Sequence, residues 1–180
     1  MTNPNGAERR LGWDWPRRQF FRARLLEDSR RAIAVYESDL TWIAGARSTA
    51  TTSAGELAFD EPVYAGGSGQ GQEPVAAVLA ALGASVLAGI AEAAAESGVT
   101  VDAIRIHTEG GVNLAATLGP RDQRPRIDRP QLEAEIVAAA DRPRLESWLQ
   151  EAIAASPIAG LFAAAGEPVE ARLIPLATEV

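Results

Sequence analysis

Ser85 is the single hydroxyl residue in the otherwise apolar run Val75–Ile90, a position from which a side chain could act as a nucleophile. An alcohol needs an adjacent general base even to attack a carbonyl. The base would have to be His107, the only histidine of the chain. His107 is out of phase with the isoleucines of its predicted strand, which points the imidazole away from the core. The pattern therefore disfavours a Ser85–His107 hydrolase and favours a Ser85 hydroxyl bonded to the carbonyl of Ala81, one turn earlier.

The residue inventory excludes several other chemistries. The chain has no cysteine, so thiolate catalysis, disulfides and cysteine-ligated metals are excluded. One histidine is too few for the usual zinc site or for a catalytic triad with an imidazole to spare. We expect no cofactor and no metal.

The segment 60–72 is rich in glycine, a composition that can cradle phosphate groups. It lacks the Gly-Lys-Ser/Thr ending of a P-loop and the glycine spacing of a dinucleotide-binding loop. We expect these glycines to supply backbone freedom instead. Arg47, in Ala44-Gly-Ala-Arg47, could hold an anionic group, or it could bridge to Glu56 or Asp60 on the surface.

Charge is distributed unevenly along the 180 residues, whose net charge is −7. All seventeen basic residues are arginine. Residues 1–31 hold eight of them against four acidic residues, whereas residues 32–180 hold nine against twenty. An acidic body argues against nucleic acid as a partner. The N-terminus lacks the apolar core of a signal peptide and Val75–Ile90 is too short for a membrane span, so we expect a cytoplasmic protein without a membrane partner.

Hydrophobic periodicity predicts how the elements position these residues. Alternation from Ile33 to Trp42 with a phase slip near Ser38, then Ser48–Ser53 and Leu57–Phe59, predicts an antiparallel meander. Pro74 opens a long helix that ends at Gly98 and is apolar on every side, so protein should surround it.

In the second half of the chain, the residue pattern predicts further strands and one more helix. Val101–Ile106 reads as a strand, Gly110-Gly111 as a hairpin turn, and Val112–Leu118 as the returning strand. After the polar connection 120–130, Leu132–Val137 is a half-exposed strand, and Asp141 caps a helix over 143–155. Ser156-Pro157 ends that helix, and a last strand covers 169–176 in an α+β fold with segregated helices.

Residues 1–31 form a separate extension and residues 32–180 the folded domain. The extension combines paired arginines with Trp13, Trp15, Phe20 and Phe21. Its first dozen residues are expected to be disordered, whereas Phe21 and Leu25 have the spacing of a short amphipathic helix. That helix could pack on its own domain or a sister subunit, or could anchor the protein to a partner or an anionic surface.

Three stretches in this order resemble the OsmC/Ohr family of small dimeric hydroperoxide reductases. They are Phe59-Asp-Glu-Pro62 with Gly66-Gly67, the helix segment Pro74–Leu87, and Ser156-Pro-Ile158, and the likeness covers about residues 32–178. The resemblance implies an OsmC-like fold, with antiparallel sheets around a long buried helix. It also implies an intertwined homodimer with one pocket at each side of the interface.

The resemblance also implies which residues replace the family's catalytic set. The peroxidatic cysteine corresponds to Ser85, the resolving cysteine to Ser156 and the glutamate that follows the proline of the pattern to Val75, while Arg47 resembles the family arginine. A serine hydroxyl cannot replace a thiolate toward peroxide oxygen, so thiol peroxidase activity is excluded.

Three functions remain open at this point. The first is a non-catalytic homodimer whose former active site, with Arg47, Val75, Leu79 and Ser85, is vestigial or binds a small amphipathic or anionic molecule. The second is a scaffold that recruits a partner through residues 1–31. The third is an enzyme with an unknown chemistry that does not use a thiol.

Overall fold

The computed structural model describes residues 9–10, 12–28, 32–119 and 124–175. The chain divides into two compact units, Met1–Ala77 and Val78–Val180. The long helix α2, Pro74–Glu96, begins in the first unit and continues into the second. The predicted division into an extension, 1–31, and a domain, 32–180, stays a prediction.

The first unit begins with a hairpin and a helix. Strands β1 (Arg9–Arg10) and β2 (Trp13–Asp14) pair antiparallel and lead directly into helix α1, Trp15–Glu27. Asp14 caps α1, because its carboxylate accepts a hydrogen bond from the Arg17 amide at 3.2 Å. The helix predicted around Phe21 is confirmed, but it contributes no buried residue. The disorder predicted for the first dozen residues falls mostly outside the described residues.

An antiparallel meander follows, as predicted. Strands β3 (Asp39–Ala44), β4 (Arg47–Thr52) and β5 (Gly55–Phe59) lie side by side in sequence order. Gly45 supplies the positive φ of the first turn, and the register shifts between Trp42 and Ala44. The strand predicted at Ile33–Val35 is wrong, since these residues have no regular structure and no strand partner supports them.

The glycine-rich segment 60–72 folds around one carboxylate. Asp60, only 2% exposed, accepts hydrogen bonds from the Ser68 hydroxyl at 2.6 Å and from the amides of Glu61, Ser68 and Gln70. The Ser68 hydroxyl, with the help of these amides, lowers the pKa of Asp60 despite its burial. A Cβ on Gly67 would lie 1.8 Å from the carbonyl oxygen of Glu61, so this position requires glycine. The glycines allow close backbone packing, in line with the expectation of backbone freedom.

Helix α2 has the predicted bounds to within one residue. Gly98 ends it with φ +70°, and the amides of Gly98 and Val99 donate to the carbonyls of Ala95 and Ala94. One stripe of α2 enters the core: Leu82, Gly83, Val86, Ile90, Ala94 and Ala95. The expectation that protein surrounds the helix is not met by the single chain, because Val78 and Leu87 are about two-fifths exposed.

The second unit contains a three-stranded sheet in the order β6, β7, β8. Strand β6 (Val101–Val112) pairs antiparallel with β7 (Ile127–Ala138), and β8 (Glu170–Leu173) lies parallel to β7. The predicted hairpin at Gly110-Gly111 is wrong. These glycines allow a register shift inside one continuous strand, and Asn113 then caps the short helix α3, Leu114–Leu118, in place of a returning strand.

Two helices complete the core of the second unit. Helix α4, Arg142–Ala155, is capped by Asp141 as predicted, through a 3.1 Å bond from the Arg144 amide. Helix α5, Pro157–Ala164, was not predicted, because its eight apolar residues show no amphipathic period. The buried side chains that pack against the core stripe of α2 come from β7, α4 and α5: Leu132, Ala134, Ile136, Trp148, Leu149, Ala152, Ala159 and Phe162.

Candidate functional site

The hydroxyl oxygens of Ser85 and Ser156 lie 2.9 Å apart and form a hydrogen bond. Ser85 is in the middle of α2, and Ser156 joins α4 to α5, 71 positions later in the chain. The fold of the second unit therefore brings together the two serines to which the family resemblance assigns the cysteine positions.

Ser156 has a second role that fixes its orientation. Its hydroxyl accepts a hydrogen bond from the Ala159 amide at 3.2 Å and so caps α5, whose first residue is Pro157. Ser156 is 5% exposed, and Ser85 is half-buried. The capping bond orients the Ser156 hydroxyl toward α2, where it reaches the Ser85 hydroxyl.

The bond predicted from Ser85 to the carbonyl of Ala81 is wrong. Within the described residues, the Ser85 hydroxyl bonds to Ser156 instead. Ser97 does show the predicted type of bond, donating to the carbonyl of Ala93 at 2.9 Å. Ser85 differs because a second hydroxyl from another element lies within reach, and sequence spacing alone carried no sign of this.

Among the described residues, the hydrogen bonds of the hydroxyl pair involve no titratable side chain that could act as a base. His107 is exposed on β6 and faces Glu133 of β7 in the strand register. Its neighbour Thr108 lies on the opposite face of the strand, where its hydroxyl donates to the Leu79 carbonyl of α2. The predicted orientation of His107 is thereby confirmed. In the part of the chain that the structure describes, no cluster of three metal-ligating side chains occurs.

Leu79 and Thr108 define the surroundings of α2 on the side of β6. Leu79 packs half-buried against the core, and the gap above Gly83 is closed by the Thr108 methyl, 3.3 Å from a Cβ placed on that glycine. Thr108 was missed by sequence reasoning. Its phase on β6, shared with Ile106, was the available signal.

Val75 and Arg47 belong to the first unit, Met1–Ala77. Val75 is in the first turn of α2 and is 36% exposed. Arg47 is the exposed first residue of β4, opposite Ala44. Among the residues described, it forms no ion pair with Glu56 or Asp60. The Asp60 carboxylate instead accepts hydrogen bonds from the Ser68 hydroxyl and from backbone amides. The predicted alternative, an ion pair from Arg47 to Glu56 or Asp60, is therefore wrong.

The family model for OsmC-like proteins matches residues 67–171, which include Ser85 and Ser156. The match covers more than half of the chain, and the chain belongs to this family. None of the curated proteins matches it significantly.

Solved structures with the same fold support this assignment. An OsmC-like protein from Mycoplasma pneumoniae matches with a TM-score of 0.68 and 16% identity, over 80% of this chain and 99% of that one. A hydroperoxide resistance protein OsmC from Legionella pneumophila matches with a TM-score of 0.61 and 18% identity, over 81% and 100%. A protein assigned to organic hydroperoxide resistance from Vibrio cholerae matches with a TM-score of 0.58 and 17% identity, over 82% and 96%, and its structure has captopril bound in one of the active sites.

By length and composition alone, α2 could cross a membrane, since its most apolar 18-residue window has a mean hydropathy of 2.1. The apolar run judged too short from the sequence is thus part of a longer helix. The core helix of a soluble protein passes the same test, and one stripe of α2 is buried in the core of this chain.

Proposed function

We propose that this protein is a non-catalytic, ligand-binding member of the OsmC-like family that acts as a homodimer. The observation that carries the proposal is the Ser85–Ser156 hydroxyl pair, to which the family resemblance assigns the two cysteine positions, in a family member that has no cysteine. A family fold that lacks the reactive sulfur atoms supports ligand binding more than catalytic turnover.

The replacement removes peroxide chemistry for a physical reason. Peroxide reduction requires a thiolate, which is a soft nucleophile and which a resolving thiol can capture as a disulfide. Hydroxyl groups do neither at neutral pH. An organic hydroperoxide assay with a thiol reductant is therefore expected to give no rate above the buffer alone.

Exposed apolar surface supports the homodimer. In the single chain, β3 and β5 expose Leu40, Trp42, Ile43 and Leu57, with Trp42 at 72%. The outer side of α2 exposes Val78 and Leu87 as well. Monomeric soluble proteins rarely leave so many large apolar side chains in water, so a second copy is the economical cover for them.

Arg47 gives the ligand its chemical class. It is a guanidinium without an ion pair among the described residues, and Val75 stands where the family pattern has an acidic partner for it. A cation without a counter-charge favours an anionic head group. In the pocket that the family resemblance implies, Val75, Leu79 and the Ser85 pair would offer apolar and hydroxyl surface to the rest of the ligand. We infer a carboxylate with an apolar tail as the ligand.

A thermal-shift screen of medium-chain carboxylates against matched neutral alcohols tests the ligand class. The carboxylates are expected to raise Tm in the wild type and not in Arg47→Gln. Arg105→Gln is the control, since Arg105 is exposed and pairs with Glu135 at 3.5 Å, and it should keep the response. Equal shifts with alcohols, or no shift with any carboxylate, would count against the ligand proposal.

A second candidate function is partner recruitment through residues 1–31. The observation in its favour is α1, which leaves Phe20 and Phe21 more than half exposed. Deletion of residues 1–31 would then remove a specific partner and leave the homodimer intact. An enzyme of another chemistry is the third possibility, and it requires a turnover that Ser85→Ala abolishes.

A further inference from the structure

Helix α1 presents a basic face, and none of its residues is buried by the part of the chain that the structure describes. Arg17, Phe21 and Arg24 follow one another at helical spacings of four and three, and Arg18, Arg22 and Leu25 form the adjacent stripe. Phe21 is 59% exposed, and Glu27 is the only acidic residue of the helix. The face therefore combines guanidinium groups with an exposed aromatic ring, the composition typical of an interface core with charged surroundings.

Charge complementarity indicates what this face meets. Residues 1–31 carry a net +4, whereas residues 32–180 carry −11. An anionic membrane would attract the helix but repel the acidic remainder of the same molecule. A second copy of the chain presents acidic surface without that conflict.

A receiving surface of matching chemistry lies in the second unit, between the end of α2 and the start of α4. It is an open groove of about 620 Å³, lined by Glu96, Asp141 and Glu151 together with Arg144 and Trp148. Elsewhere on this unit, Glu133, Glu135, Glu146 and Glu167 form ion pairs with arginines. Asp141 and Glu151 instead hold the Arg144 amide and the Ser147 hydroxyl, so their charge is not neutralised by those bonds.

We propose that α1 of one protomer docks through its Arg17–Phe21–Arg24 face on the acidic α2–α4 groove of a second copy and thereby clasps the homodimer. This inference rests on the homodimer of the proposed function. The apolar faces would drive the association, and the clasp would add an electrostatic contact at the rim of the interface. Its contribution to the stability of the dimer should therefore fall as ionic strength rises.

Salt dependence tests the clasp in solution. Sedimentation of the full chain should show dimer dissociation rising several-fold between about 50 mM and 500 mM salt. In the double variant Arg17→Gln with Arg24→Gln, dissociation at low salt should be about three to ten times stronger, and its salt dependence should be flatter. The double variant Gln19→Glu with Ala23→Glu makes the same change in charge on the other face of α1 and should behave more like the wild type.

Cross-linking locates the contact, and a chain without cysteine makes it unambiguous. Two differently tagged copies are expressed together, one carrying Phe21→Cys and the other Ser147→Cys in the groove. A disulfide between the two tags is expected under mild oxidation, and none when the second copy carries His107→Cys on exposed β6 instead.

The outcomes separate this inference from the proposed function. A monomer at all concentrations refutes the homodimer itself. A stable dimer with the same salt dependence in all variants, or no disulfide between the two tags, overturns the clasp alone. Flotation of the full chain with phosphatidylserine vesicles, lost in the Arg17→Gln, Arg24→Gln variant, would assign the face to lipid and also overturn it.

Discussion

The Ser85 hydroxyl meets the Ser156 hydroxyl at 2.9 Å, across a junction of three helices. Each oxygen has a reason to be there that does not involve catalysis. Ser156 caps α5, and Ser85 forms a hydrogen bond with the same capping hydroxyl. The hydroxyl pair therefore has a structural role that does not depend on catalysis.

Cysteine at both positions should form a disulfide. The two hydroxyl oxygens lie 2.9 Å apart, and a disulfide requires two sulfur atoms in these places to approach to about 2.05 Å. We expect the double variant Ser85→Cys, Ser156→Cys to form an intrachain disulfide on mild oxidation, detected by thiol titration and mass spectrometry. Closing a loop of this length should stabilise the oxidised form by about 2–4 kcal/mol relative to the reduced one. Each single variant, which keeps one free thiol per chain, is the control.

Alanine substitutions should separate the stability that the Ser85–Ser156 hydrogen bond contributes from the stability that the cap of α5 contributes. Ser85→Ala deletes one hydrogen bond and should lower the free energy of unfolding by about 1 kcal/mol. Ser156→Ala also deletes the cap of α5 and should cost about 1–2 kcal/mol more. Ser147→Ala, which loses only an exposed bond to Glu151, should have little effect. In denaturant unfolding, equal losses for Ser85→Ala and Ser147→Ala would show that the pair contributes nothing.

The sequence predicted most of this fold, and the residues show why. Threonine-rich composition predicted β4 and alternation predicted β5, Pro74 and Gly98 predicted the ends of α2, and Asp141 predicted the start of α4. These features are local, because a period, a cap or a helix-ending glycine acts within a few positions.

The errors arose where a local signal has two structural outcomes. Gly110-Gly111 can turn a hairpin or relax a strand, and only the pairing of β6 with β7 decides between them. Likewise, the Ser85 hydroxyl could bond back within its helix or to another element. The contact with Ser156 became an expectation through the family resemblance, since no spacing rule links positions 71 apart.

Asp60 should make the glycine-rich loop sensitive to acid. Hydrogen bonds from Ser68 and backbone amides lower the pKa of Asp60 from its ordinary 3.8, so the ionised form is favoured in the folded state. The resulting stability is present above pH 3.8 and is lost as the pH falls through the lower folded pKa. Asp60→Asn should therefore have a lower Tm than the wild type near neutral pH, and the difference should narrow in acid. Glu61 is the exposed neighbour of Asp60, and any difference in Tm between Glu61→Gln and the wild type should not narrow in acid.

Two helical glycines should respond in opposite directions to alanine. A Cβ on Gly89 of α2 would lie 2.8 Å from the Ala152 Cβ of α4, whereas a Cβ on Gly160 of α5 meets nothing within 4 Å. Gly89→Ala should therefore destabilise the protein by about 1–3 kcal/mol through overpacking. Gly160→Ala should stabilise it by about 0.5–1 kcal/mol through helix propensity alone. Chemical denaturation of both variants beside the wild type measures the contrast, and a stabilised Gly89→Ala would contradict the close approach of α2 to α4.

A charge on the outer side of α2 should dissociate the proposed homodimer. Leu87 is 38% exposed in the single chain and lies outside the stripe that enters the core. If a second copy covers this side, Leu87→Arg would bury an unpaired guanidinium at the interface, a cost of several kcal/mol that a dimer can avoid only by separating. Light scattering behind size exclusion should then report a dimer for the wild type and a monomer for Leu87→Arg. Leu118→Arg makes the same change at a residue of α3 that is 68% exposed and should leave the dimer intact. A Leu87→Arg protein that remains dimeric and folded would show that α2 lies outside the contact, and the homodimer proposal would then have to rest on β3 and β5 alone.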